Sequence, residues 1–275
     1  MIRKSAQNWV SITLILIPIY FRFYSGKRNV KIKFRNGNEI VLASYRLALT
    51  VLVYYYISNA YEIYSYAEMK QIKELSVLLE QKLRKKFNKD QIDFYKLTDA
   101  SAFSPTTVAI YCIIRKHVPQ IMVETGVANG FSTSLFLKAL SNNGTGKLIS
   151  IDFPTRSPDG YSYDNKDDRS YTPLDLEPGW LVPDELRYLW ELKVGKSVDI
   201  LPMLDEVEIF YHDSEHSYNN MMFEYEWAFQ HLRKGGILAS DDISWNDAWD
   251  DFLIGHTDLS RFLNDRSLGI AVKQI

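Results

Sequence analysis

Four short stretches hold residue types whose spacing could do chemistry. "VETGVANG" puts Glu124 at the end of an apolar run and then sets Gly126 and Gly130 four residues apart; "LISIDF" ends a second run on Asp152. "IFYHDSEH" ends a third run on Asp213, with His216 three residues on, and "GGILASDD" ends a fourth on the pair Asp241 and Asp242. Glycines in a turn after a strand let the backbone approach a ligand and let the amides of the next helix point at it. Glu124 stands where the dinucleotide fingerprint needs glycine, and its charge would repel a pyrophosphate. A ligand with a cationic part is the better match, and Asp152 can accept both hydroxyls of a ribose. If the strands ending on Asp213 and on Asp241–Asp242 are parallel neighbours, their ends lie about 5 Å apart. Three carboxylates then crowd one pocket, at a cost unless a cation neutralises them or one keeps its proton. A hard divalent ion taking oxygen ligands, Mg2+ before Ca2+, is the simplest relief.

The elements that must position these residues follow from periodicity. From Phe103 onward helix and strand alternate: a helix "SPTTVAIYCIIRKHV" with Ser104 as cap, a strand "QIMVETG", a helix "STSLFLKALSNN" capped by Ser132 or Thr133, and a strand "GKLISIDF". There follow "ELKVG", a helix "SVDILPML", a strand "VEIFYHD", a long helix "SYNNMMFEYEWAFQHLR", a strand "GGILASDD", a helix from Trp245 and a last strand "LGIAVKQI". This alternation predicts an α/β fold, a Rossmann-like doubly wound and mostly parallel sheet covered on both faces. Ligands of such sheets bind beyond the carboxyl ends of the strands. The segment from Pro154 to Pro183, rich in Tyr, Asp, Pro and Gly, reads as a long loop that is either an active-site lid or disordered.

Ahead of this domain lies an extension. "KRNVKIKFRNGNEIVLAS" alternates apolar and basic residues around Asn36-Gly37, a hairpin signature. Leu47 to Tyr66 is apolar and tyrosine-rich, and Ile72, Leu75, Leu78, Leu79 and Leu83 recur at helical spacing. The uncharged run over residues 6–21 is shorter than the roughly 20 apolar residues of a spanning helix. Packing on the main domain or on a second subunit is its expected role, with a peripheral membrane contact as the other reading. Two domains are thus expected, 1–92 and 93–275. The formal net charge of −2 over 275 residues gives no basic footprint for nucleic acid. The one cysteine, Cys112, forms no intramolecular disulfide and fits a reducing, cytoplasmic setting.

"VETGVANG" with "LISID" resembles the acidic glycine motif and acidic second-strand end of class I S-adenosylmethionine-dependent methyltransferases, over Phe103 to Ile275. D-x-x-H followed by G-G-x-x-x-x-D-D resembles the metal-dependent macrocin O-methyltransferase type and the cephalosporin-hydroxylase-like group. The resemblance implies that Glu124, Gly126, Asn129, Gly130, Ser132 and Asp152 hold S-adenosylmethionine, that Asp213, Asp241 and Asp242 ligate Mg2+, and that His216 abstracts a proton from a sugar or glycosylated small-molecule hydroxyl. Tyr161, Tyr163, Tyr171 and Trp180 are candidates for stacking on a sugar ring, or equally for a small core of the lid itself. From Trp245 to the end the sequence shows room for one further strand, which leaves out the family's closing hairpin. Against these roles, Asp213 or Asp241 would simply cap helices, His216 would be a first-turn residue, and alternation turns His212 away from Asp213. A non-catalytic, membrane-associated protein that keeps the fold, and a nicotinamide-dependent oxidoreductase, are the alternatives.

Overall fold

The computed structural model of the chain describes residues 19–22, 30–34, 39–42, 66–89, 105–154, 172–173, 175–264 and 268–274. Strands β1 (Ile19–Arg22), β2 (Val30–Phe34) and β3 (Glu39–Leu42) form a small antiparallel sheet, with Ile32 opposite Ile40. The expected hairpin is therefore present, and the end of the N-terminal apolar run adds a third strand to it. The Asn36-Gly37 turn, most of residues 6–21 and the stretch from Leu47 to Ser65 lie outside the described residues. No helix among the described residues is long and apolar enough to cross a membrane.

Helix α1 (Tyr66–Lys86) puts Met69, Ile72, Leu75, Leu79 and Leu83 on one face, and all five are buried. That face shares a core with α2 (Pro105–His117) and, beyond strand β4 (Ile121–Thr125), with α3 (Phe131–Asn143). Each fully buried leucine of this kind contributes roughly 1.5–3 kcal/mol. A polar clamp fixes α1 to α2: Arg115 bonds both oxygens of Glu68, at 2.6 and 3.0 Å, and the Tyr111 hydroxyl donates to the same carboxylate at 2.9 Å. Although α1 precedes residue 92, its apolar face is one wall of the sheet's own core.

The chain continues through β5 (Lys147–Asp152), β6 (Trp190–Val194), a short helix α4 (Ser197–Ile200), β7 (Val207–His212), α5 (Tyr218–His231), β8 (Leu232–Asp241), α6 (Ala248–Gly255), β9 (Leu259–Asn264) and β10 (Leu268–Lys273). Seven strands form one sheet in the order β6-β5-β4-β7-β8-β10-β9. The five from β6 to β8 are parallel, and β10 runs antiparallel to both β8 and β9. The sheet therefore closes with an antiparallel pair after all. The expectation of a single further strand fails because "LSRFLN" carries too many polar residues to read as a strand, yet it pairs at the edge, where only one side needs a partner.

Alternation sorts the parallel strands onto two cores. Met122, Leu148, Ile209, Tyr211, Ile237 and Ala239 face α1, α2 and α3, while Val123, Ile151, Phe210 and Leu238 face α4, α5 and α6. Register carries this across the sheet, with Ser150, Glu124, Tyr211 and Ala239 in one row and Thr125, His212 and Ser240 in another.

Candidate active site

Because the strands run parallel, Glu124, Asp152, Asp213 and Asp241 all arrive at one edge, beyond which the connecting turns converge. The turn after β4 is a tight one, with φ +84° at Gly126 and +87° at Gly130. A Cβ on Gly126 would lie 1.8 Å from the carbonyl oxygen of Asp213, and one on Gly130 would lie 2.7 Å from Cα of Gly179. The missing side chains thus first admit the chain's own backbone. The Asp213 amide donates to the Thr125 carbonyl at 2.9 Å, so the turns after β4 and β7 are locked together.

The segment 175–182 lies over the glycine turn. Gly179 N donates to Ala128 O at 2.9 Å, Leu181 N to Asn129 O at 3.1 Å, and the Trp180 indole to Asn129 Oδ1 at 2.7 Å. Asn129 is buried, and Trp180, a candidate for stacking on a sugar, is spent on holding Asn129 and meeting the edge of Phe87. Tyr161, Tyr163 and Tyr171 lie outside the described residues. On the other side of the turn the Asp152 carboxylate accepts from the amides of Val127 and Ala128, both at 2.7 Å. Next to it Phe153 is about half exposed, with the Lys196 ammonium 5.7 Å from its ring centre.

Glu124 is wholly buried and points into the fold. Its carboxylate accepts from Ser132, Thr133 and Ser150 at 2.8 to 2.9 Å. This corrects the expected helix cap: α3 starts at Gly130 with no side-chain cap, since a buried carboxylate has the stronger need for those hydroxyls. Burial pushes the Glu124 carboxyl up from 4.5 to about 7, although the three hydroxyls pull it down; the charge of Asp152 adds to the rise. The folded state therefore holds this proton more tightly than the unfolded chain does. The stabilisation is complete below pH 4.5 and is lost as the pH rises through about 7. The loss amounts to about 3 kcal/mol. Urea denaturation at pH 5 and pH 8 is expected to show this fall in the wild type and a smaller one in Glu124→Gln; equal falls would mean that Glu124 is not the group responsible.

On the opposite face His212 is fully buried, as alternation required, and its Nδ1 meets Glu224 Oε2 of α5 at 2.6 Å. Thr125 donates to the same oxygen at 2.6 Å, and Ser214 and Asn220 donate to Oε1 at 2.8 and 3.2 Å. Burial acts to raise the Glu224 carboxyl, but the charge of His212 and the surrounding donors hold it below the usual carboxylate range. Glu224 was missed by sequence reasoning.

His216 precedes α5, whose cap is Ser217, so neither Asp213 nor Asp241 caps a helix. The His216 ring is buried, 5.2 Å from His212 edge-on and 5.4 Å from Trp245 at a tilt of 30°. Asn246 donates to the His216 carbonyl at 2.8 Å, tying the loops after β7 and β8 together. Asp241 is pushed up to about 6, by burial first and by the charge of Asp242 second, against the pull of the Asp242 amide and of His216. Among the described residues no three of His, Cys, Asp and Glu are grouped so as to hold a metal ion. Asp213, Asp241 and Asp242 thus share an edge without forming the expected cradle.

A central strand followed by a glycine turn, an acid at the end of the next strand and a closing antiparallel pair define the class I methyltransferases. Residues 123–243 match the family described as Methyltransferase domain. The chain is also similar to solved structures. One is a methyltransferase from Geobacter sulfurreducens, 16% identical over 73% of this chain and 90% of that one, with a TM-score of 0.49. Another is the O-methyltransferase TomG from Streptomyces achromogenes, involved in tomaymycin synthesis and solved with SAM, 15% identical over 62% and 81%, with a TM-score of 0.46. A third is an O-methyltransferase from Bacillus cereus in complex with SAH, 15% identical over 83% and 100%, with a TM-score of 0.44. No curated protein matches the sequence.

Proposed function

We propose that the chain transfers the methyl group of S-adenosylmethionine to a hydroxyl of a sugar or glycosylated small molecule. The observation that carries this reading is Asp152, a carboxylate anchored on two amides of the glycine turn at the sheet edge, beside the half-exposed ring of Phe153. The acid would take the ribose hydroxyls and Phe153 the face of the adenine. Gly126, Gly130 and Asn129 shape the turn, while Glu124 and Ser132 act on it from beneath by fixing the start of α3. His216 would take the acceptor's proton, with Asp213 beside it at the end of β7. The acceptor oxygen then forms its bond to the methyl carbon as the carbon–sulfur bond breaks, and the electron pair returns to sulfur. The chain supplies mainly positioning.

Calorimetry is expected to show binding of S-adenosylmethionine and S-adenosylhomocysteine, with both weakened on the order of tenfold in Asp152→Ala, the loss of hydrogen bonds to a charged acceptor. Binding of NAD with no affinity for either sulfur compound would replace this reading by the oxidoreductase one.

Metal assistance is a second reading, favoured by the mutual repulsion of Asp241 and Asp242. As arranged, these acids and Asp213 do not fit one ion, so no step is routed through a metal. Methyl transfer that stops in excess EDTA and returns with Mg2+ would establish it.

A further inference from the structure

Tyr211, in the middle of the sheet, has a hydroxyl that the fold does not use. It sits in the register row between Glu124 and Ala239, and its ring is wholly buried with its edge on Phe136 at 5.2 Å. The hydroxyl has no hydrogen-bond partner among the described residues. Burial holds its proton on, and alternation along paired strands puts Tyr211 on the same face of the sheet as Glu124, Asp213 and Asp241. A buried hydroxyl without a partner opposes folding, and phenylalanine would fill the same space without that cost.

The missing partner must suit its surroundings. An anion would be repelled by the acids, and a divalent ion has no grouped ligands here. A sulfonium carries no N–H or O–H to donate. A primary ammonium meets each condition, because it donates hydrogen bonds and its charge is welcome among carboxylates. We infer that Tyr211 is a binding residue for the methyl donor, its phenol oxygen accepting a hydrogen bond from the ammonium of the donor's amino-acid end. This inference rests on the donor reading above. It also gives the acids a counter-charge during turnover, since the ammonium enters and leaves with the donor.

Two ligands separate the parts of the donor. S-adenosylhomocysteine has both the nucleoside and the ammonium, whereas 5′-methylthioadenosine has the nucleoside and lacks the amino-acid end. In calorimetry on the full chain, Tyr211→Phe is expected to bind S-adenosylhomocysteine on the order of tenfold more weakly and 5′-methylthioadenosine as the wild type does. The ligand-free variant should melt at or above the wild-type temperature. Asp152→Ala, by contrast, should weaken both ligands alike. Unchanged affinity of Tyr211→Phe for S-adenosylhomocysteine, or equal weakening of both ligands, would overturn the assignment of Tyr211. A wild type that binds neither ligand would instead overturn the donor reading, and this inference with it.

Discussion

Replacing His216 by alanine is expected to lower the rate of methyl transfer by roughly two to four powers of ten, the range that a positioned general base supplies. The imidazole is held by Trp245 on one side and by the edge of His212 on another, and it feels the charge of Asp241. An imidazole so fixed would spend little entropy on reaching a working position as base. The substitution should leave the fold in place, since the bond from Asn246 goes to the His216 carbonyl and Ser217 still caps α5. Single-turnover rates with labelled donor, set beside the affinity for S-adenosylhomocysteine, separate the two effects. A variant that transfers methyl at the wild-type rate would exclude His216 as the base.

Glu224→Ala is expected to lower the free energy of unfolding by about 3–5 kcal/mol, the cost of breaking a buried charged pair from one side. Its carboxylate is the common acceptor for His212, Thr125, Ser214 and Asn220. Alanine leaves His212 and Thr125, both wholly buried, without this acceptor, and each then bears its own desolvation cost. Such a loss is a large share of the 5–15 kcal/mol typical of a folded chain. Glu224→Gln keeps an acceptor and should lose less. Urea denaturation near neutral pH measures both, and an alanine variant within about 1 kcal/mol of the wild type would show that the pair adds little.

Much of the sheet was legible because β4, β5, β7 and β8 each carry a short apolar run that ends on or beside a carboxylate, with helical periods between the runs. The edge strand β9 was not, since its polar sequence matches a loop as well as a strand. Asp152, Asp213, His216, Asp241 and Asp242 were all found from their place at the ends of runs, and the structure sets Asp152, Asp213, Asp241 and Asp242 at the same edge. Whether acids at a common edge converge on one ion depends on side-chain direction, which spacing does not specify. Glu224 left a signal that was passed over. Met221, Tyr225 and Ala228 mark the buried stripe of α5, and Glu224 falls on it as a charge among apolar residues. A carboxylate there calls for a partner, and His212 on the neighbouring strand supplies it. The unsatisfied hydroxyl of Tyr211 left no signal, because a tyrosine in a strand reads as core whatever its oxygen meets.

The contact between Gly126 and the backbone of Asp213 bears on how readily this protein could take on new ligands. The floor of the site is one solid piece, in which the turn after β4 and the turn after β7 touch at the distance of a missing methyl group. Neither can be reshaped without the other. The rim is different: Trp245 and Phe153 stand half in solvent, and a change there need not disturb the floor. In a selection for altered acceptors, productive substitutions should collect at such rim positions, while position 126 stays glycine. Catalytic power and acceptor choice would then be inherited separately, the first from the floor and the second from the rim.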